Sequence, residues 1–380
     1  MKVEKNIHAH LAIAVIAAGM ALAVAFAPAA RADDEGEDFA EAKSIIADLQ
    51  RIVTPDGVQE TFKARIGGID QWLSVRGRDR DNPLLLFVHG GPASPAMPVS
   101  WTFQRPWEEF FTVVQWDQRG AGKTYLANDP EKVAPTIRIE RFVADAIEVM
   151  ELLCKRYGKQ KVIVVGHSWG TIVGLQAALK RPDLVHAYVG IGQVISVLEN
   201  ERASFDLALA RAREEGNEQA VRDLESIAPY PGDEPLTVER IILERKWAQH
   251  YGGLAAYRSD FGYYFNAPLL SPLYDMEDVD AIGKGSMLTL GPILTQWTEV
   301  DFNDVEKVPF PVVMFLGRHD YTTPPQPTAR WLARVAAPAK HAIWFEDSSH
   351  LAPIEEPGKT LLSLVNRVRP YAIEENGPAR

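Results

Sequence analysis

A single cysteine, Cys154, occurs in 380 residues. No intrachain disulfide can form, so stability has to come from a buried core. Its place in the sequence also excludes a lipid-modified N-terminal cysteine. Cys154 shares an apolar helical face with Ile147 and Met150, which reads as a small buried hydrophobe rather than a nucleophile. No block rich in lysine and arginine occurs, and the formal net charge is −11. Binding to nucleic acid or to an anionic membrane is therefore disfavoured. There is no internal repeat, no low-complexity tract and no H-E-x-x-H. No histidine and carboxylate cluster has metal-ligand spacing, so neither a metal nor a cofactor is implied. Gly122-Lys123-Thr124 resembles the end of a phosphate-binding loop, but that pattern needs glycine where this chain has Asp117.

One long uncharged, alanine-rich run covers 11–27. Lys2 and Lys5 precede it, and Pro28, Ala30-Arg31-Ala32 and an acidic Asp33-Asp34-Glu35 follow. A basic start, an apolar middle and an A-x-A exit predict a secretory signal peptide over 1–32, cleaved after Ala32. The mature protein is then periplasmic or secreted, with no stable membrane association. An uncleaved anchor is the competing reading, since the run approaches spanning length.

With 46% hydrophobic and 24% charged residues, the composition is that of a globular chain long enough for one large α/β domain with an insertion or for two domains. An acidic leader with a short helix (39–51) occupies 33–56. Strand patterns at 61–66 and 71–75 flank Gly67-Gly68 as in a hairpin. Strands at 84–89, 111–117, 161–166 and 185–191 then alternate with helices at 137–157 and 168–181. The alternation resumes with strands at 311–316 and 341–345 and helices at 328–335 and 357–368. An α/β fold with a mostly parallel, doubly wound sheet and an antiparallel start is predicted. Its core is split into 57–192 and 305–380. The charged, helical stretch 193–304 reads as a lid over the carboxyl ends of the strands, where ligands bind in open sheets.

The segment Val164-Val165-Gly166-His167-Ser168-Trp169-Gly170 places a serine between two glycines, after a β-branched run and before a helical one. This is a G-x-S-x-G strand-to-helix turn that exposes a serine hydroxyl. Such a hydroxyl needs a base, and the base an orienting acid, in the order Ser, Asp or Glu, His. Among later histidines, His186 opens a strand, His250 lies in the insertion and His341 is at the wrong end of its strand. His350, in Asp347-Ser348-Ser349-His350, follows the last strand directly and is the candidate base. Asp320 follows the preceding strand and is the candidate acid. His319 beside it is expected to be structural. Oxyanion donors are expected from the backbone of Trp169 and from Gly91 in His89-Gly90-Gly91-Pro92, with Gly90 as neighbour and His89 bracing the loop.

Together, HGGP at 89–92, DQRGAGKT at 117–124 and GHSWG at 166–170 closely resemble the prolyl aminopeptidase (proline iminopeptidase) branch of the α/β-hydrolases. The resemblance covers about 57–192 and 308–370. It implies Ser168, Asp320 and His350 as nucleophile, acid and base, Gly91 and Trp169 as oxyanion donors, and Arg119 as a structural tie beneath the site. The family loop usually continues with glycine where this chain has Ala93. Family aminopeptidases hold the substrate's free amine with glutamates of the insertion, for which Glu199 and Glu201 are the first candidates, with Glu239, Glu244 and Asp260 behind them. A serine at the elbow disfavours the dehalogenase and epoxide-hydrolase variants. The expected function is an exported serine hydrolase acting through an acyl-enzyme on a short peptide or small molecule. It would release N-terminal proline or small residues. A carboxylesterase or lactonase is the alternative, and a non-catalytic ligand-binding relative a third reading.

Overall fold

In the computed structural model, residues 35–232 and 236–373 are described; the predicted signal peptide and the cleavage point after Ala32 lie outside them. Eight strands form one sheet: β1 (Val58–Ile66), β2 (Ile69–Gly77), β3 (Leu84–Val88), β4 (Thr112–Asp117), β5 (Val162–His167), β6 (Val185–Ile191), β7 (Val312–Gly317) and β8 (Lys340–Phe345). Their spatial order is β1-β2-β4-β3-β5-β6-β7-β8. β1 and β2 form an antiparallel hairpin turned by Gly67 and Gly68, both at positive φ, and β2 pairs antiparallel with β4. Every other neighbouring pair is parallel.

Both faces of the sheet are covered, which is why β3 and β5 read as unbroken apolar runs. Successive side chains alternate between two cores: Leu84, Leu86, Val88, Val162 and Val164 enter one, and Leu85, Phe87, Ile163 and Val165 the other. After a leading helix α1 (Glu35–Leu49), the first core is closed by helix α2 (Ile139–Tyr157), whose buried Phe142, Val143, Ala146, Val149, Met150 and Leu153 repeat at helical spacing. Gly158, at φ 66°, ends α2 and returns its N–H to the Cys154 carbonyl. Cys154 itself is buried, and desolvation pushes its thiol up to about 11, so it stays a protonated hydrophobe.

Helix α3 (Trp169–Lys180) follows β5 directly. Between β6 and β7 the chain leaves the sheet and forms α4 (Val197–Glu214), α5 (Glu218–Glu225), α6 (Val238–His250) and α7 (Met276–Trp297), a helical cap. Helices α8 (Pro325–Arg334) and α9 (Pro357–Arg367) complete the core. α8 starts three residues before the predicted 328–335, because Pro325 sits in its first turn, where a fixed φ and a missing N–H cost nothing.

The cap is tied to the sheet at its α7 end. The Tyr274 hydroxyl donates to the buried Asp117 carboxylate, and Lys123 pairs with Asp278 near the start of α7. Lys123 also lies over the rings of Trp72 and Tyr274, 5.5 and 5.1 Å from their centres. The lysine of the phosphate-loop look-alike is thus engaged in packing.

Candidate active site

Ser168 occupies the turn between β5 and α3 with φ 53° and ψ −123°, a conformation that favours glycine. The flanking glycines are needed for a different reason from the one the tight turn suggests. Neither takes positive φ; both lie where no side chain fits. A Cβ on Gly166 would lie 2.7 Å from the Gly170 carbonyl oxygen, and one on Gly170 would lie 1.9 Å from that of Val88. The strain falls on Ser168 itself, whose N–H is held by the Ile191 carbonyl at 3.0 Å.

Asp320 lies beyond the carboxyl end of β7 and His350 beyond that of β8. His350 Nδ1 is 2.9 Å from Asp320 Oδ2, and both residues are buried. Because a carboxylate oxygen can only accept, this contact places the proton on Nδ1 and leaves Nε2 as the basic nitrogen. Thr323, which the sequence reading missed, completes the acid's surroundings. Its N–H donates to Asp320 Oδ1 and its hydroxyl to Oδ2, both at 2.7 Å. A threonine three residues beyond an aspartate is the signal that could have revealed it. His167, in the elbow itself, packs at a 45° tilt against His350 with 4.7 Å between ring centres, and its Nε2 contacts the His350 carbonyl at 3.0 Å. Burial, then the neighbouring His350, pulls His167 down to about 3, so it is neutral and donates in this contact.

The loop after β3 lies against the serine: a Cβ on Gly90 would sit 3.2 Å from Ser168 Cβ. Gly91 has φ 117° and buried Ala93 has φ 59°, so the position where the resembling family carries glycine is left-handed here too. His89 is buried, and desolvation pulls it down to about 4. Its Nδ1 donates to the Gly90 carbonyl at 2.8 Å and its Nε2 accepts the Gln118 N–H at 3.1 Å, a tautomer that braces this loop. Gln118 in turn bonds the His89 carbonyl (2.8 Å) and accepts from the Trp169 indole (3.1 Å). The HGGP loop, the DQRG segment and the elbow are therefore one hydrogen-bonded unit. Arg119 is fully buried below it, fork-on to Asp145 at 2.9 and 3.1 Å and bonded to Thr136 and the Gly67 carbonyl.

One cavity brings together Gly90, Gly91, Ser168, Trp169, Thr323 and His350. Its walls are mostly apolar, with Phe87, Phe103, Tyr264, Phe265 and Trp297 among them, and its cap end carries Asn200, Arg245 and Gln249. Behind Arg245 sit two buried carboxylates, Glu201 and Glu244, each ion-paired to that guanidinium. Glu201 also accepts from the Tyr230 hydroxyl and Glu244 from the Ser204 hydroxyl, both at 2.6 Å. Glu199 points elsewhere, half-exposed beside Arg330 and Asn303. Two positions along a helix turn the side chain to the far side, so 199 and 201 cannot share a face. Glu239 and Asp260 are not among the residues lining the cavity.

A family model described as alpha/beta hydrolase fold matches residues 83–357, and the chain belongs to that family. It is a hydrolase of this class, with the resemblance to the proline iminopeptidase branch already noted. The probable aminopeptidase YbaC of Bacillus subtilis is 29% identical over 296 residues, covering 77% of this chain and 91% of its own. Among solved structures, the proline iminopeptidase of Mycobacterium smegmatis is similar with a TM-score of 0.59 at 18% identity, over 83% of this chain and 100% of that one. A proline iminopeptidase-related protein of Thermus thermophilus gives 0.56 at 19% identity, over 81% and 96%. At such identities the two structures speak for the fold alone.

Proposed function

We propose that the protein is an exported serine hydrolase in which Ser168 is the nucleophile, His350 the general base and Asp320 its orienting acid. The observation that carries this reading is the 2.9 Å contact of Asp320 with His350 Nδ1, beside a strained serine that lines the same cavity. In the first step His350 Nε2 takes the Ser168 proton as Oγ attacks a carbonyl carbon. The N–H groups of Gly91 and Trp169 receive the developing oxyanion, His350 returns the proton to the leaving group, and an acyl-enzyme remains. Water deprotonated by His350 then releases the acid.

The leading substrate class is a short peptide with a free N-terminal amine on proline or a small residue, as the names of the relatives suggest. Two carboxylates sharing one guanidinium support it. With both ionised, the Glu201–Glu244–Arg245 group holds one negative charge in excess, next to the cap end of the cavity. A buried ammonium needs such a partner. A carboxylester or lactone is the second reading, favoured by Arg245 itself: the side chain that lines the cavity is a hydrogen-bond donor, suited to an oxygen acceptor. Proline and alanine arylamides, their N-acetylated forms, and short-chain and aryl esters separate the readings. Cleavage of free-amine arylamides far above the acetylated forms supports the aminopeptidase. Equal cleavage removes it and leaves the esterase. Export is tested by mass spectrometry of the periplasmic fraction, where the chain should begin at Asp33 and an intact Met1 or Lys2 terminus would count against processing.

A further inference from the structure

The main chain around His350 is held at every peptide N–H. The Ser349 and Leu351 N–H groups both donate to Glu355 Oε2, at 2.9 and 3.1 Å. Between them, the His350 N–H donates to the Leu254 carbonyl at 3.1 Å. The second oxygen of Glu355 accepts from the Ala256 N–H at 2.6 Å. Leu254 and Ala256 belong to the strap that leaves α6 of the cap, so one carboxylate spans the base loop and the cap. Burial holds the Glu355 carboxyl above the usual carboxylate range; the Ala256, Ser349 and Leu351 N–H groups favour its ionised form and Asp320 opposes it. Charge-assisted bonds of this kind are about twice as strong as neutral ones.

We propose that Glu355 is a positioning residue for His350, fixing the peptide groups on both sides of the base and locking them to the cap strap. The inference rests on the serine-hydrolase reading. An imidazole pivots on its Cα, so a loop free to shift carries Nε2 away from the serine even while Nδ1 keeps its contact with Asp320. Glu355 touches no substrate, and its effect must pass through His350. The neighbouring Glu356 offers a contrast on the same loop: it accepts from the Asp347 N–H at 3.2 Å and the Ser348 hydroxyl at 2.8 Å, three and two residues before the base, rather than from the peptide groups that flank it.

The test compares E355Q with E356Q in the purified full-length protein, counting competent sites by stoichiometric fluorophosphonate labelling and dividing kcat by that count. Glutamine keeps one acceptor but turns an NH₂ toward N–H groups that need an oxygen. E355Q should lower kcat per labelled site roughly tenfold to a hundredfold, with KM nearly unchanged and labelling slowed in proportion. E356Q should keep wild-type kcat per site. A merely structural Glu355 would lower the number of labelled sites and the melting temperature but leave each site's turnover intact, and that result overturns the proposal. If E355Q yields no folded protein, Glu355→Asp, whose shorter arm cannot reach all three N–H groups, takes the same two readings. Failure of the underlying reading looks different: the wild-type protein would then take up no fluorophosphonate at Ser168.

Discussion

Gly170 and Val88 are in contact through bare backbone: a Cβ at Gly170 would lie 1.9 Å from the Val88 carbonyl oxygen and 2.7 Å from that of His89. The elbow is pressed against the end of β3, and this contact sets how near the HGGP loop comes to the serine. Gly170→Ala should therefore destabilise by about 3 kcal/mol or more, since backbone on both sides leaves no soft neighbour to give way. Gly358, exposed on α9 with nothing within 4 Å of its would-be Cβ, is the control. Gly358→Ala should be neutral or stabilising by up to about 0.5–1 kcal/mol. Urea unfolding of both variants checks the pair, and a Gly170→Ala protein as stable as wild type would refute the contact.

Substitutions at Ser168 separate chemistry from strain. Ser168→Ala removes the hydroxyl and keeps the left-handed backbone, so it should lose on the order of 10⁶ in kcat while melting near wild type. Ser168→Gly loses the same activity but also releases the φ 53° strain, worth about 1–3 kcal/mol. Glycine's greater freedom in the unfolded chain returns about 0.4–1 kcal/mol of that. Ser168→Gly should still melt above Ser168→Ala. Near-wild-type turnover in either variant would remove the nucleophile assignment.

The sheet is legible in the sequence because burial on both faces leaves its mark residue by residue: Val162 to Val165 are apolar throughout, as a covered parallel strand requires. The triad candidates are legible for a topological reason, since each must follow a strand at its carboxyl end, and that rule together with the chain order Ser, acid, His points to Asp320 and His350. The cap resists such reading. Glu201 and Glu244 lie on different helices and meet only because α4 and α6 pack side by side, and no short-range pattern distinguishes them from the solvated acids around them. Glu355 is hidden for the same reason. In Ile354-Glu355-Glu356 it looks like one of two exposed charges, and only the fold shows that one faces His350's peptide groups and the other does not.

Asp117 gives a pH dependence whose sign can be worked out. Burial pushes its carboxyl up to about 7, against the Tyr274 hydroxyl and Lys123, which pull it down, and its Oδ1 is among the buried side-chain atoms that lack a partner. An unfolded aspartate titrates near 3.9. Between about pH 4 and 7 the native state therefore holds a proton that the unfolded chain has released, and stability falls as pH rises through that window. His89 and His167, both lowered, act in the opposite sense: their contribution is complete above about 6.5 and is lost on acidification. Comparing Asp117→Asn with wild type cancels the histidines. The variant should gain on the order of 2–4 kcal/mol relative to wild type between pH 4 and 8. A stability difference independent of pH would mean that Asp117 stays ionised in the fold.

The cap cluster makes the aminopeptidase reading sensitive to one proton. Burial pushes Glu244 up to about 7; Arg245 pulls it down and Glu201 pushes it further up. Above that pH the cluster carries its excess negative charge, and below it the charge is gone. If that charge holds the substrate's ammonium, kcat/KM for a free-amine arylamide should rise with pH relative to an ester of similar shape. A group titrating near 7 passes from about one-tenth to about nine-tenths ionised between pH 6 and 8, so the ratio rises by at most about tenfold. Taking the ratio removes the protonation of His350, which both substrates share, and each point is corrected for the substrate's own amine, which loses its charge near about 7.7–8.0. Glu244→Gln imitates the protonated form and keeps an acceptor for the Ser204 hydroxyl, so the fold should persist while the ratio stays flat at its low-pH value. If wild type and Glu244→Gln show the same pH-independent ratio, the carboxylate pair serves only to anchor Arg245, and the donor it presents to the cavity points to an ester or lactone carbonyl instead.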